Sequence, residues 1–265
     1  MPDDAFSLDS LFGIAGKRAL VTGGSRGIGR MVATGLVANG AEVLVAARNA
    51  DELEATVEEL SGLGTCSGVA ADVTTDHGRQ SLVDAVTALG GLDILVNNAG
   101  MARPDPLGTA NADDAAAMLA LNVTAPLLLT QALLGPLREG ATPEDPARVV
   151  MVGSVDGIRV PAAPLFTYGA SKAALHSLTR QLAHALAPDH ITVNAVAPGM
   201  FESAMTAPML AAPGMQERIA SAIPAGRIGA PQDVAAAVVY LSSRAGAYLD
   251  GVVIPVDGGV STTHG

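Results

Sequence analysis

Seven short apolar runs, separated by helical patterns, recur along the 265 residues of this chain. They cover residues 18–22, 42–47, 65–71, 93–97, 148–153, 191–197 and 251–256. Helical patterns lie between them at about 51–60, 78–89, 112–134, 166–186 and 232–242. Strands that alternate with helices are joined by crossovers, so they must pair in parallel. Near-continuous apolar strands imply burial on both sheet faces. A hydrophobic fraction of 49% with 15% charged residues suits that arrangement, and 3% aromatics leaves Ala, Val and Leu to fill the core. The expectation is one α/β domain over residues 1–265: a doubly wound parallel seven-stranded sheet with helices on both faces. Residues 1–15 read as an N-terminal arm.

In open sheets of this kind ligands lie beyond the carboxyl ends of the strands. The first strand runs into Gly23-Gly24-Ser25-Arg26-Gly27-Ile28-Gly29, and a helical pattern then starts. A strand turning through glycines into a helix gathers bare N–H groups and the positive end of a helix dipole, which favours a pyrophosphate. Gly23 permits the tight turn, Gly27 lets the backbone approach a ligand, and Gly29 lets helix and strand pack closely. The cluster alone could be a plain turn; the flanking strand and helix favour a Rossmann-like site including Ser25, Arg26 and Ile28. The second strand ends at Ala47, followed by Arg48 and Asn49, where an acid would bind the ribose hydroxyls of NAD. Two guanidinium groups, Arg26 and Arg48, and no carboxylate suit a 2′-phosphate, so NADP(H) is expected. The plainer alternative makes Arg48 a solvated strand end.

Tyr168 and Lys172 stand at i and i+4 in Tyr168-Gly169-Ala170-Ser171-Lys172, on one helical face. The chain has fifteen basic residues, yet its lysines are Lys17 and Lys172. A retained lysine points to a need for a compact charge with three donors. Ser154 lies fourteen positions upstream of Tyr168, at the end of an apolar run.

Taken in order, these motifs resemble the short-chain dehydrogenase/reductase family over nearly the whole chain. Thr22 to Gly29 is similar to its glycine motif, and Asn97-Asn98-Ala99-Gly100 to the motif that steadies the central sheet beside the cofactor. Asp72-Val73 resembles the aspartate that meets the adenine, and Pro198-Gly199 the turn near the nicotinamide. Val256-Asp257-Gly258-Gly259 resembles the C-terminal signature. Asn122, Ser154, Tyr168 and Lys172 match the catalytic tetrad. Ser203 replaces a common threonine and keeps a hydroxyl for the nicotinamide amide; Leu249-Asp250-Gly251 replaces a more usual Ile-Thr-Gly. Within the family the chain is similar to NADPH-dependent β-ketoacyl reductases, particularly the rhamnolipid-associated type, on 146–150, 197–201 and 245–248.

The resemblance implies an oxidoreductase acting on a carbonyl or secondary alcohol. Tyr168 would be the acid, and the charge of Lys172 would lower its phenol pKa. Ser154 would hold the carbonyl oxygen, and Lys172 and Tyr168 would also touch the cofactor. Asn122 would anchor a water in a proton relay. A 3-oxoacyl substrate competes with sugar, polyol, steroid or xenobiotic ketones, and a catalytically silent NADP(H)-binding sensor or scaffold is the alternative of another class. The family's usual homotetramer is expected too.

Residues 200–223 depart from the alternation and hold Met200, Phe201, Met205, Met209, Leu210, Met215, Ile219 and Ile223. They form either a packed surface helix pair or an adaptable apolar lid; a lid implies a substrate with an apolar portion. A net charge of −11 argues against nucleic acid, and it weakens docking of an acidic carrier protein unless Arg103, Arg138 and Arg159 form a local basic dock. No run of 18 uninterrupted apolar residues suggests a membrane span, and the acidic N-terminus is unlike a signal peptide. The single cysteine, Cys66, excludes an intrachain disulfide and fits a reducing, cytoplasmic setting. No metal-ligand cluster is evident; His184 and His190 read as surface residues.

Overall fold

The computed structural model describes residues 3–161, 163–203 and 206–263. Its strands are β1 (Arg18–Thr22), β2 (Glu42–Ala47), β3 (Cys66–Ala70), β4 (Ile94–Asn97), β5 (Ala147–Val152), β6 (Ile191–Pro198) and β7 (Val253–Val256). All pair in parallel in one sheet of order β3-β2-β1-β4-β5-β6-β7. The order reverses between β1 and β4, so the crossovers diverge there and open a crevice at the carboxyl edge.

The helices are α1 (Leu8–Phe12), α2 (Gly27–Ala38), α3 (Ala50–Ser61), α4 (Asp76–Ala88), α5 (Ala112–Leu119), α6 (Ala125–Ala132), α7 (Leu134–Glu139), α8 (Phe166–Leu186), α9 (Ala207–Leu210), α10 (Met215–Ser221) and α11 (Pro231–Ser242). Successive strand residues face opposite layers. Val21, Val45 and Val96 pack with Val32 and Leu36 of α2 and Val234 and Val238 of α11. Leu20, Leu44 and Leu95 pack instead with Leu82 of α4, Leu129 of α6 and Leu175 of α8. Gly35 lets α2 and α11 meet closely, because a Cβ there would stand 2.6 Å from that of Ala235. The edge strand β3 is partly exposed, in contrast to the buried strands within the sheet.

The helix expected over 112–134 is broken. Residues Ala120–Thr124 form a π turn between α5 and α6. Its cause is legible in the chain: Pro126 has no N–H to return to the carbonyl of Asn122, four residues earlier. The stretch Ala112–Ala132 is long and apolar enough by composition to cross a membrane, with mean hydropathy 1.4. In this fold it sends Leu121, Ala125 and Leu129 into the core.

At the N-terminus α1 buries none of its residues, although Phe12 meets the Tyr240 ring at 6.3 Å and Ile14 enters the core. The 200–223 segment is pinned at both ends. Phe201 is buried and bridges to Gly229, and Ile223 is buried too. Between these anchors α10 has no buried residue. Met205 lies outside the described residues.

Candidate active site

The turn after β1 is fixed by glycine geometry. Gly23 and Gly27 adopt φ of 63° and 54°, a region that favours glycine. A Cβ at Gly29 would collide with the carbonyl of Gly23 and the side chain of Asn98. Asn98 Nδ2 donates to the carbonyls of Thr22 and Gly23 at 2.8 and 3.0 Å. The hydroxyl of Thr22 in turn accepts from the N–H groups of Asn98 and Ala99, both at 3.0 Å. The 97–100 motif therefore ties β4 to the phosphate turn, as expected. Ser25 is buried, and its carbonyl accepts from the Thr56 hydroxyl of α3 at 2.9 Å.

At the far end of the cleft, Arg48 is exposed beside Asp72. Bonds from the Thr74 hydroxyl and N–H, together with the charge of Arg48, hold the Asp72 carboxyl below its usual range against the opposing effect of burial. Val73 is buried. Arg26 is not free: its guanidinium lies 3.7 Å from Glu52. Asn49 lines the cleft, but its Oδ1 accepts from the N–H groups of Asp51 and Glu52 and so caps α3.

The inner end is built on α8 and β5. Lys172 is buried and donates from Nζ to the Val152 carbonyl at 2.7 Å. Its Nζ lies 5.8 Å from the centroid of the Tyr168 ring. Burial brings the Lys172 pKa down to about 8. Ser154 shares a hydrogen bond with the Tyr168 phenol, and its Oγ accepts from the Asp156 N–H at 3.1 Å. The expected lowering of the phenol pKa does not occur in this geometry. Burial pushes Tyr168 above its ordinary value and the charge of Asp156 adds to that, outweighing the Ser154 bond. The reason is placement: the ammonium bonds to the strand backbone rather than to the phenol.

Asn122 is fully buried in the π turn. Its Oδ1 accepts from Met101 N–H at 2.9 Å, while its Nδ2 donates to the Met101 carbonyl at 2.8 Å and to Ser171 Oγ at 3.0 Å. Ser171 then donates to the Tyr168 carbonyl at 2.7 Å. Pro198 ends β6, and Gly199 is needed because a Cβ there would stand 2.8 Å from Asp257. Ser203 does not point a free hydroxyl into the cleft; it lies 3.2 Å from the Thr206 hydroxyl, which also accepts from Ser203 N–H.

One cleft of about 740 Å³ collects these groups. Gly23, Ser25, Arg26, Gly27, Ile28 and Gly29 line it, as do Arg48, Asn49, Asp72 and Val73. So do Asn98, Ala99, Gly100, Ser154, Tyr168 and Lys172, then Pro198, Gly199 and Ser203. Asn122 stands behind this wall. The sequence reading missed Met101, Leu121 and Thr206, which also line the cleft and have no motif to flag them; Phe201, read as part of the apolar 200–223 segment, lines it too. It also missed Asp156 and the buried His176, one turn beyond Lys172. Of the three arginines named as a conceivable basic dock, Arg103 is paired with Asp114 and Arg138 with Asp189; Arg159 is exposed, with its charge acting on Asp156 and Asp257.

Residues 23–261 match the family described as Enoyl-(Acyl carrier protein) reductase. The rhamnolipids biosynthesis 3-oxoacyl-(acyl-carrier-protein) reductase of Pseudomonas aeruginosa is 45% identical over 249 residues, which cover 94% of this chain and 97% of that protein. Gluconate 5-dehydrogenase of Gluconobacter oxydans is 34% identical over 259 residues, covering 96% and 98% respectively. The solved Pseudomonas aeruginosa RhlG/NADP active-site complex superposes with a TM-score of 0.92 at 44% identity, over 95% of this chain and 98% of that one.

Proposed function

This chain belongs to the short-chain dehydrogenase/reductase family, and from that membership we propose that it moves a hydride between NADP(H) and a carbonyl or secondary alcohol, reducing a 3-oxoacyl thioester or similar ketone. The observation that carries this reading is the convergence of Ser154, Tyr168 and Lys172 on the cleft that also holds the glycine turn.

The residues present fit the cofactor. Gly23, Gly27 and Gly29 keep the turn bare of side chains where backbone must approach a pyrophosphate. Ala47 offers no carboxylate to a ribose, and Arg48 supplies the positive charge a 2′-phosphate needs. The RhlG/NADP complex supports the same choice. When bound, the reduced nicotinamide supplies the hydride.

The chain supplies the proton and the field. Tyr168, held protonated by burial, donates its phenolic proton to the oxygen as the carbon takes the hydride. Ser154 holds that oxygen and stabilises the charge developing on it. Lys172 spends one donor on Val152, leaving two for ribose hydroxyls, and a pKa near 8 keeps it largely charged at neutrality. Pro126 denies the Asn122 carbonyl its ordinary helical partner, which supports that residue as a water anchor. In the reverse direction the same phenol works as the base.

Met101, Leu121 and Phe201 in the cleft wall support a substrate with an apolar portion, covered by a lid over 200–223. The chain is assigned to the cytoplasm as a single catalytic domain that assembles as a homotetramer, and the partly exposed strand β7 supports such contacts. The deciding experiment measures NADPH oxidation against acetoacetyl-CoA, longer 3-oxoacyl thioesters, 5-ketogluconate, a steroid ketone and a diketone. Thioester turnover rising with chain length is expected. Preference for the keto sugar would transfer the assignment to the class of the gluconate relative.

A further inference from the structure

The first turn of a helix has N–H groups with no acceptor inside the helix. In α3, α4 and α5 the residue at the helix start meets that need: Asn49, Thr75 and Asn111 accept from those N–H groups. Helix α8 differs. Its own N-cap position is Leu165, which provides no side-chain bond. The acceptor comes from 61 residues earlier. Asp105 Oδ1 accepts from Phe166 N–H at 2.7 Å, and its Oδ2 accepts from Thr167 N–H at 2.8 Å. The Thr167 hydroxyl adds a third bond. The backbone N–H of Asp105 donates to the Pro164 carbonyl at 2.9 Å, just before the helix. Asp105 is buried, 8% exposed.

Tyr168 follows Thr167 directly, so this clamp grips the backbone next to the proposed acid. The same loop is tied at its other end. Met101 is bonded both ways to Asn122, which reaches the Tyr168 carbonyl through Ser171. The segment from Met101 to Asp105 therefore grips Tyr168 from both sides, and Gly100 and Met101 at its start line the cleft. We propose that Asp105 is a positioning residue: its carboxylate, bonded across the chain to Phe166 and Thr167, sets the Tyr168 phenol against the substrate oxygen and locks the cleft wall to the catalytic helix.

This rests on the reading of Tyr168 as the acid, which Tyr168→Phe tests separately. If that variant keeps turnover, the reading fails first and Asp105 has nothing to position. The positioning test compares Asp105→Ala and Asp105→Asn, with acetoacetyl-CoA as substrate and NADPH affinity read from cofactor fluorescence. Displacement of a reacting group by about 1 Å lowers rates by about a hundredfold. Asp105→Ala should lower kcat by tenfold to a hundredfold, with NADPH Kd and substrate KM each within about threefold. Asp105→Asn keeps one acceptor oxygen and should recover a third to a half of the wild-type kcat. Unchanged kcat in Asp105→Ala overturns the proposal. A fall in kcat matched by an equal loss of NADPH binding or folded fraction also overturns it, since the role would then be structural alone. If Asp105→Ala does not fold, Asp105→Asn carries the test: a kcat reduced twofold or more at unchanged NADPH Kd supports the proposal, and an unreduced kcat overturns it.

Discussion

Lys172 Nζ donates to the Val152 carbonyl at 2.7 Å, which anchors the ammonium to β5 instead of to Tyr168. With its pKa at about 8 and the phenol above its ordinary value, the two groups titrate in separate ranges. The charged lysine is the working form, so kcat/KM for NADPH should be flat at neutrality and fall as pH rises through about 8. This parameter reports the free enzyme, the state in which Lys172 has that pKa. Lys172→Met should be poor at pH 7 and should lack the inflection. A wild-type profile still flat at pH 10 would overturn the assignment.

Removing the phenol hydroxyl tests the acid itself. General acid catalysis contributes about 10²–10⁴-fold, so Tyr168→Phe should lose turnover by at least a hundredfold. NADPH affinity should stay within about twofold, because the phosphate turn and Arg48 are untouched. Wild-type turnover in Tyr168→Phe would refute the mechanism.

Cofactor choice depends on Arg48 more than on Arg26, which already has Glu52 within 3.7 Å. A charged hydrogen bond is worth about 1.5–3 kcal/mol. Arg48→Ala should therefore weaken NADPH use by roughly tenfold to a hundredfold and leave NADH use nearly unchanged. Equal losses with both cofactors would mean that Arg48 shapes the loop without reading the 2′-phosphate.

Much of this site was legible because its parts are local. Tyr168 and Lys172 announce themselves by a four-residue spacing, and the glycine turn by the strand and helix around it. What was not legible depends on long-range placement. Asp105 caps a helix 61 residues away, and no spacing rule connects it to Phe166. The wrong direction for the Tyr168 phenol has the same origin, since the sequence placed Lys172 beside it but could not show Val152 taking the ammonium. Pro126 was visible, yet the apolar pattern across 112–134 reads as one helix, and the π turn over Ala120–Thr124 emerges only in the folded backbone.

Packing behind Lys172 gives a stability test. A Cβ on Gly153 would collide with the imidazole of His176 and approach the Val196 carbonyl to 3.2 Å. Overpacking costs about 1–3 kcal/mol, so Gly153→Ala should lower the urea-unfolding free energy by about 2 kcal/mol. Adding His176→Ala should give a double variant less destabilised than the sum of the two single changes. Strict additivity would deny the contact.

His176 itself should make the fold acid-sensitive before the carboxylates do. It is 4% exposed, and among the described residues its Nε2 has no hydrogen-bond partner. Burial, with smaller contributions from the charges of Lys172 and Arg180, brings its pKa down to about 4 despite a bond to the Gly157 backbone. In the unfolded chain the imidazole takes a proton near pH 6.5. Between those values the unfolded state holds more protons than the folded one, so stability rises with pH across the window and is lost as pH falls from about 6.5 toward 4. Above pH 7 this group contributes no slope. His176→Leu removes the titration, so the loss of unfolding free energy between pH 7 and pH 5 should shrink by on the order of 1 kcal/mol in that variant. Identical pH dependence in wild type and His176→Leu would mean that the imidazole already carries its proton in the folded protein.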